Sequence, residues 1–166
     1  EAECQDVGTS LKERFGRGEA FDCAVVNPSR RGMGPVARDG LAKLEIPTIA
    51  YVSCDPDTLA RDLDHFVRLG YGTTTLRPLD MIPLTEEVET VSILRRGASP
   101  TPPVLFEDDD VLVVAKAPHE PVLPRADGAP GVSLKERAMR LPGIRSLRPV
   151  GRDDTSTSGI VFFAKS

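Results

Sequence analysis

A single cysteine stands where a nucleophile would be useful. In IPTIAYVSCDPDTLARDL, residues 46–63, Cys54 follows an apolar run and directly precedes Asp55-Pro56, a helix-start signal. A thiol between a strand's carboxyl end and a helix amino terminus sits where open α/β sheets meet their ligands. The free N–H groups and positive dipole end of such a helix favour the thiolate, the form that attacks carbon, while Asp55 and Asp57 act against it. Packing is the ordinary role of a free cysteine, so position alone leaves both roles open. A carboxylate able to serve as a base follows in EEVE, where Glu89 stands near Glu86 and Glu87; a surface carboxylate is its other reading. Further on, RDDTSTSG, residues 152–159, gathers Arg152, Asp153 and Asp154 in what composition alone reads as a polar turn.

The surrounding elements decide how these groups are held. FDCAVVNP (21–28) and PTIAYVS (47–53) read as short buried strands, with a helix over GPVARDGLAKLE (34–45) between them despite Gly40. Asp55 caps the next helix with Pro56 at its first position; Leu59, Leu63, Phe66 and Val67 share its apolar face, and Gly70 ends it. TTTLRPLDMIP and EVETVSILRR read as two more strands, giving an α/β sheet that ends in an antiparallel pair. Small residues and prolines in RRGASPTPPV (95–104) suit an extended linker, so a domain boundary is expected near 98–102. Beyond it, VLFEDDDVLVVAKAP reads as a hairpin around Asp108–Asp110, GVSLKERAMRLP (131–142) as a helix capped by Ser133, and GIVFFAK (159–165) as a strand.

Composition bounds the function classes. No apolar run approaches the roughly 20 residues of a membrane span, and EAECQDVGTS lacks the features of a signal peptide, so the chain reads as cytoplasmic with no membrane partner. Cys4, Cys23 and Cys54 are too few and too scattered for a disulfide framework or a zinc site, and reduced thiols are expected. His65 and His119 read as a helix-surface and a loop residue, and no metal is implied. A net charge of −4 speaks against indiscriminate nucleic-acid binding, yet KERAMRLPGIRSLRPVGR (135–152) holds six basic residues and one acidic residue. It is read either as a phosphate-facing patch or as a solvated helix face. Beginning at Glu1 and stopping at FFAKS, the sequence reads as a piece of a longer protein.

VVNPSRRG, IAYVSCDPDTLARDL and RPLDMIPLTEEVETVSILRR together resemble, in order and spacing, the carboxyl-terminal half of the uracil-5 RNA methyltransferase family, over about residues 1–97. The resemblance implies the later part of a class I S-adenosylmethionine-dependent methyltransferase sheet. It implies that Cys54 adds to C6 of a target uracil and that Glu89 removes the C5 proton after methylation. Asn27 and Asp6 match cofactor-side positions, although Asn27 replaces the usual aspartate, and Leu84 and Glu87 stand where histidines are common. The glycine-rich turn that cradles S-adenosylmethionine has no counterpart here, so the chain alone is not expected to hold the cofactor.

Residues 103–166 resemble a second family, the pseudouridine synthases of large-subunit rRNA and tRNA, through VLFEDDDVLVVAKAPHEPVLP and RPVGRDDTSTSGIVFFAK. That resemblance implies a partial α+β domain without a cofactor. Asp154 matches the essential aspartate and Arg152 the motif arginine that works beside the flipped-out nucleotide. Thr157, Ser158 and Gly159 shape the loop. Gly151 and Asp153 replace the motif's histidine and leucine, and a second acid is expected to disfavour ionisation of Asp154. The two resemblances imply domains at 1–97 and 103–166 joined by a linker at 98–102, an enzyme that methylates and isomerises uridine in structured rRNA or tRNA. A degenerate RNA-binding module, or a generic methyltransferase with a structural cysteine, is the alternative.

Overall fold

The computed structural model describes residues 4–81, 83–85, 88–126, 131–151 and 154–166. Glu86, Glu87, Arg152 and Asp153, all singled out above, lie outside the described residues. The chain divides into two units, Glu1–Ser99 and Pro100–Ser166, each with its own sheet and core.

In the first unit the apolar runs become strands β1 (Cys23–Val26) and β2 (Thr48–Ser53), which pair in parallel across helix α2 (Pro35–Lys43). Helix α3 (Pro56–Arg68) follows, then β3 (Tyr71–Leu79) and β4 (Glu89–Arg96), and β4 inserts antiparallel between β2 and β3. The sheet order is β1-β2-β4-β3. Because side chains alternate along a strand, Ala24, Val26, Ile49, Tyr51 and Leu94 share one face, and they pack there with Leu41 and Leu44 near α2 and with Leu59 and Phe66 of α3. The Asp55 cap and Pro56 start α3 as the sequence leads one to expect, and Gly70 (φ +93°) follows its end.

Two features of this unit depart from the sequence reading. Residues Val7–Gly16 form a helix, α1, for which no element was expected. Its two glycines and thin apolar stripe hide it, and it forms by packing on α2. A Cβ at Gly8 would meet Val36 at 2.9 Å, and one at Gly40 would meet Leu11 at 3.0 Å, so each helix gives up a side chain where the other approaches. Gly40, a weak point in a helix judged alone, is thereby accounted for. The third strand also stops at Leu79, so Met81 and Pro83 belong to the turn.

In the second unit, β5 (Val104–Glu107) and β6 (Val111–Lys116) form the hairpin, with Asp108 Oδ1 accepting from Asp110 N (2.9 Å) and Val111 N (2.7 Å). Helix α4 (Leu134–Ala138), β7 (Leu147–Val150) and β8 (Gly159–Lys165) complete a sheet of order β5-β6-β8-β7. Ser133 caps α4, and Glu136 returns a bond to Ser133 N (2.8 Å). This helix is only five residues long, against the expected 131–142, and Pro142 with Gly143 (φ +80°) prevents its extension. The basic stretch 135–152 is therefore not a solvated helix face, since it runs from α4 through a turn into β7. Arg137 leaves any phosphate-facing patch altogether: it is buried, ion-paired to buried Glu120, and donates through Nε to Pro100 O (2.7 Å). Among the described residues, no helix is long and apolar enough to cross a membrane.

Candidate active site

At the carboxyl end of β2 the chain makes a tight turn around Cys54. The buried Ser53 hydroxyl donates to Asp55 O (3.0 Å) and accepts from Asp55 N (3.2 Å), so the residues on either side of the thiol are bonded to each other. Asp55 Oδ1 accepts from Thr58 N (2.8 Å) and Thr58 Oγ1 (3.0 Å), capping α3. The Thr58 backbone N–H is the main cause holding the Asp55 carboxyl below its usual range, followed by the Thr58 hydroxyl. Cys54 itself is half-buried, and all three cysteines are free thiols.

Strand register brings two more of the expected residues to this end of the sheet. The last β2–β4 pair is Ser53 with Thr90, so Cys54, just past β2, and Glu89, the first residue of β4, both lie just beyond that pair. Val26 pairs with Tyr51 in parallel, so exposed Asn27 leaves β1 at the same edge. Asp6 lies elsewhere in the chain's path, as the α1 cap, with Oδ1 accepting from Thr9 N (2.9 Å) and Thr9 Oγ1 (3.1 Å). Leu84 is exposed, with φ +71°. His65 lies on α3 within 3.1 Å of Asp39 Oδ1, and His119 lies in a loop.

The residue that sequence reasoning missed is Asp62. It is completely buried and accepts from Met33 N (2.6 Å), Tyr51 Oη (2.6 Å), Arg61 Nε (3.0 Å) and Nη2 (2.8 Å), and Arg38 Nη1. Burial, then the hydrogen bond to Asp62, pushes the Tyr51 hydroxyl well above its usual value, so Tyr51 stays a donor. A signal was present in the sequence: position 62 lies three residues after Leu59 and four before Phe66, on the apolar face of α3. A carboxylate in that stripe demands buried donors.

In the second unit, Asp154 occupies the exposed turn before β8. Its Oδ1 accepts from Ser156 N (2.9 Å) and Ser156 Oγ (2.8 Å). Asp153, expected to disfavour ionisation of Asp154, lies outside the described residues; the Ser156 backbone N–H, the Ser156 hydroxyl and the charge of Lys116 hold the Asp154 carboxyl below its usual range. Buried Lys116 fastens this turn from beneath, donating to Thr155 O (3.4 Å) and Thr157 O as well as to Glu120 O (3.1 Å) and Ala117 O (3.3 Å). Thr157, Ser158 and Gly159 are exposed. Among the described residues, no group of three or more His, Cys, Asp or Glu is arranged to hold a metal ion.

The chain is 40% identical over 92 residues to an RNA methyltransferase of Geobacter sulfurreducens, a match covering 55% of this chain and 19% of that protein. It is 43% identical over 93 residues to an RNA methyltransferase of Thermotoga maritima, covering 56% and 20% respectively. The chain thus spans about a fifth of the length of these curated relatives, and over about half of its own length its homologues are RNA methyltransferases. A solved structure, the Pyrococcus abyssi tRNA (uracil-54, C5)-methyltransferase in complex with S-adenosyl-L-homocysteine, matches with 38% identity and a TM-score of 0.42, covering 46% of this chain and 19% of that one. No protein-family model matches the chain.

Proposed function

We propose that the first unit is the carboxyl-terminal half of an RNA uracil-5 methyltransferase domain, with Cys54 as nucleophile and Glu89 as base. The observation that carries this reading is the convergence of Cys54, Glu89 and Asn27 on one edge of the sheet. Alignments of 92 and 93 residues to RNA methyltransferases are longer than the whole second unit, so they draw on the first.

The chemistry follows from the weak nucleophilicity of uracil C5. The Cys54 thiolate forms a bond to C6, and the C5–C6 electron pair is displaced toward C5 and O4, making C5 reactive. S-adenosylmethionine, when bound, supplies the methyl group that C5 takes. Glu89 then removes the proton from C5, the double bond re-forms, and the C6–sulfur bond breaks with its electron pair returning to Cys54. Asn27, an exposed amide at the end of β1, has the donor and acceptor atoms to meet the cofactor. Asp6 is the second candidate contact, since a carboxylate engaged in a cap retains further acceptor positions.

The second unit is read as the opening part of a pseudouridine synthase domain, with Asp154 as its carboxylate and Arg152 beside the nucleotide. An ionised Asp154 on an exposed, fastened turn supports that role. The substrate of both units is uridine in structured RNA, whether tRNA or rRNA.

The test is trapping with RNA containing 5-fluorouridine, in the full natural polypeptide with S-adenosylmethionine. Fluorine at C5 cannot leave as a proton, so an active methyltransferase stays attached to its RNA. The expected result is a covalent complex that survives denaturation, requires S-adenosylmethionine and disappears in Cys54→Ala. A complex that persists in Cys54→Ala and disappears in Asp154→Ala assigns the chemistry to the second unit. RNA binding without any complex overturns both catalytic roles and leaves an RNA-binding module.

A further inference from the structure

We propose that Asp62 is the positioning residue of the first unit: it holds the Asn27–Met33 loop against the first turns of α3 and so sets that loop relative to Cys54. The inference rests on the methyltransferase reading above and deepens it.

Asp62 gathers groups from three places in the fold. Tyr51 comes from β2, two residues before Ser53; Arg38 comes from α2; the Met33 N–H comes from the end of the loop that begins at Asn27. The same two turns of α3 bind the loop twice more, through Thr58 Oγ1 to Arg30 O (2.9 Å) and Arg61 Nη2 to Arg31 O (2.8 Å). Thr58 also bonds the Asp55 cap, so one short helical segment fastens both the turn containing Cys54 and the loop leaving Asn27.

The local sequence is fitted to this contact. Gly32 has φ +71°, and a Cβ there would fall 2.5 Å from both Asp62 Oδ2 and Arg61 Nη2. Only glycine adopts that backbone conformation readily and also lets the loop approach the carboxylate. A buried charge is a poor means of stabilising a helix face that an apolar residue would fill as well. Its use here is geometric: the carboxylate accepts the backbone N–H of Met33 while two arginines and a tyrosine fix its own orientation. The parts that meet at the sheet edge are thus set by a group that need not touch substrate.

Asp62→Asn, Gly32→Ala and Tyr51→Phe in the full natural polypeptide test this, each first shown by circular dichroism to be folded. Hydrogen exchange at the Gly32 and Met33 amides, kcat and KM for RNA, and the rate of Cys54 adduct formation with 5-fluorouridine RNA are compared with the unaltered protein. Asp62→Asn and Gly32→Ala are expected to speed exchange in the loop while α3 stays protected, and to lower kcat and the adduct rate about 10- to 100-fold with a smaller change in KM. Tyr51→Phe removes one donor to the oxygen that also receives Met33 N and is expected to act in the same direction less strongly. It carries the test if the other two variants do not fold. A loosened loop with kcat and adduct rate within about twofold of the unaltered protein overturns the positioning role alone. An unaltered protein that forms no adduct overturns the methyltransferase reading, and the positioning role with it.

Discussion

The loop before α2 and the turn before β8 are each tied down by one buried charge, and the two charges have opposite signs. Asp62 receives a backbone N–H, a phenol and two guanidinium groups, whereas Lys116 donates its ammonium protons to four backbone carbonyls. The sign decides which backbone groups turn inward. Around Asp62 the Met33 N–H points to the anchor, and nearby loop carbonyls go to Thr58 and Arg61. Above Lys116 the carbonyls of Thr155 and Thr157 point down, and the Ser156 N–H is left to the Asp154 carboxylate. An anionic anchor thus supports a loop whose neighbouring proposed nucleophile is a thiol. A cationic anchor supports a turn whose proposed reactive group is a carboxylate, and adds its own attraction for the ionised form.

Removing the anionic anchor is the harshest way to break this comparison. Asp62→Ala strands the buried Arg38 guanidinium, and breaking a buried pair from one side costs about 3–5 kcal/mol. Within residues 1–166 both tyrosines, Tyr51 and Tyr71, lie in the first unit and there is no tryptophan, so tyrosine emission from this 166-residue stretch reports that unit alone. Its denaturant midpoint should fall sharply in Asp62→Ala. A shift of the circular-dichroism transition without a shift in tyrosine emission would contradict the assignment of this loss to the first unit.

Lys116→Met sharpens the comparison from the other side. It keeps the apolar stem and withdraws donors from four carbonyls, and loss of a charge-assisted hydrogen-bonding group costs about 1.5–3 kcal/mol. The loss is expected to be the smaller of the two, because the four carbonyls that lose a donor are neutral, whereas Asp62→Ala strands a buried guanidinium. Dichroism should reveal an earlier transition while tyrosine emission holds its midpoint. Faster hydrogen exchange at Ser156 and Thr157 would locate the loosening in the turn.

The two anchors also mark the limit of what the sequence disclosed. Every strand but β7, the Asp55 and Ser133 caps, the hairpin at Asp108 and the edge holding Cys54 were legible, because each depends on residues within a few positions of one another. Asp62 and Arg137 were not, because a charged side chain reads as exposed until its partners 24 and 17 residues away are brought to it. Helix α1 was hidden for a related reason: Gly8 and Gly16 are unfavourable in an isolated helix, and Gly8 acquires a purpose only against α2. Local rules find elements and caps, whereas ties between elements need the fold. Ser133→Ala tests the local kind: loss of this cap should cost the second unit about 1 kcal/mol, less than the loss of Lys116, and should again leave tyrosine emission unchanged.

Acid sensitivity gives the smallest effect and compares the carboxylates of Asp55 and Asp154 rather than the two anchors. Asp55 and Asp154 each lie below the ordinary value of 3.8, the first chiefly through the Thr58 N–H and the second chiefly through the Ser156 N–H. Below that value the unfolded chain binds more protons at these positions than the folded one, so stability rises with pH through the window and is lost as pH falls through the folded values. Asparagine still caps a helix but does not titrate. Asp55→Asn should therefore flatten part of the acid limb of the tyrosine transition between about pH 2 and 5, with Glu19, itself lowered chiefly by its hydrogen bond to Arg14, supplying a remaining part in the same unit. Asp154→Asn should leave that limb alone and flatten the second unit's dichroism transition instead. If Asp154→Asn leaves the dichroism limb as steep as before, the bonds from Ser156 are not holding a charged carboxylate, and the ionised state on which the second unit's proposed chemistry depends loses its support.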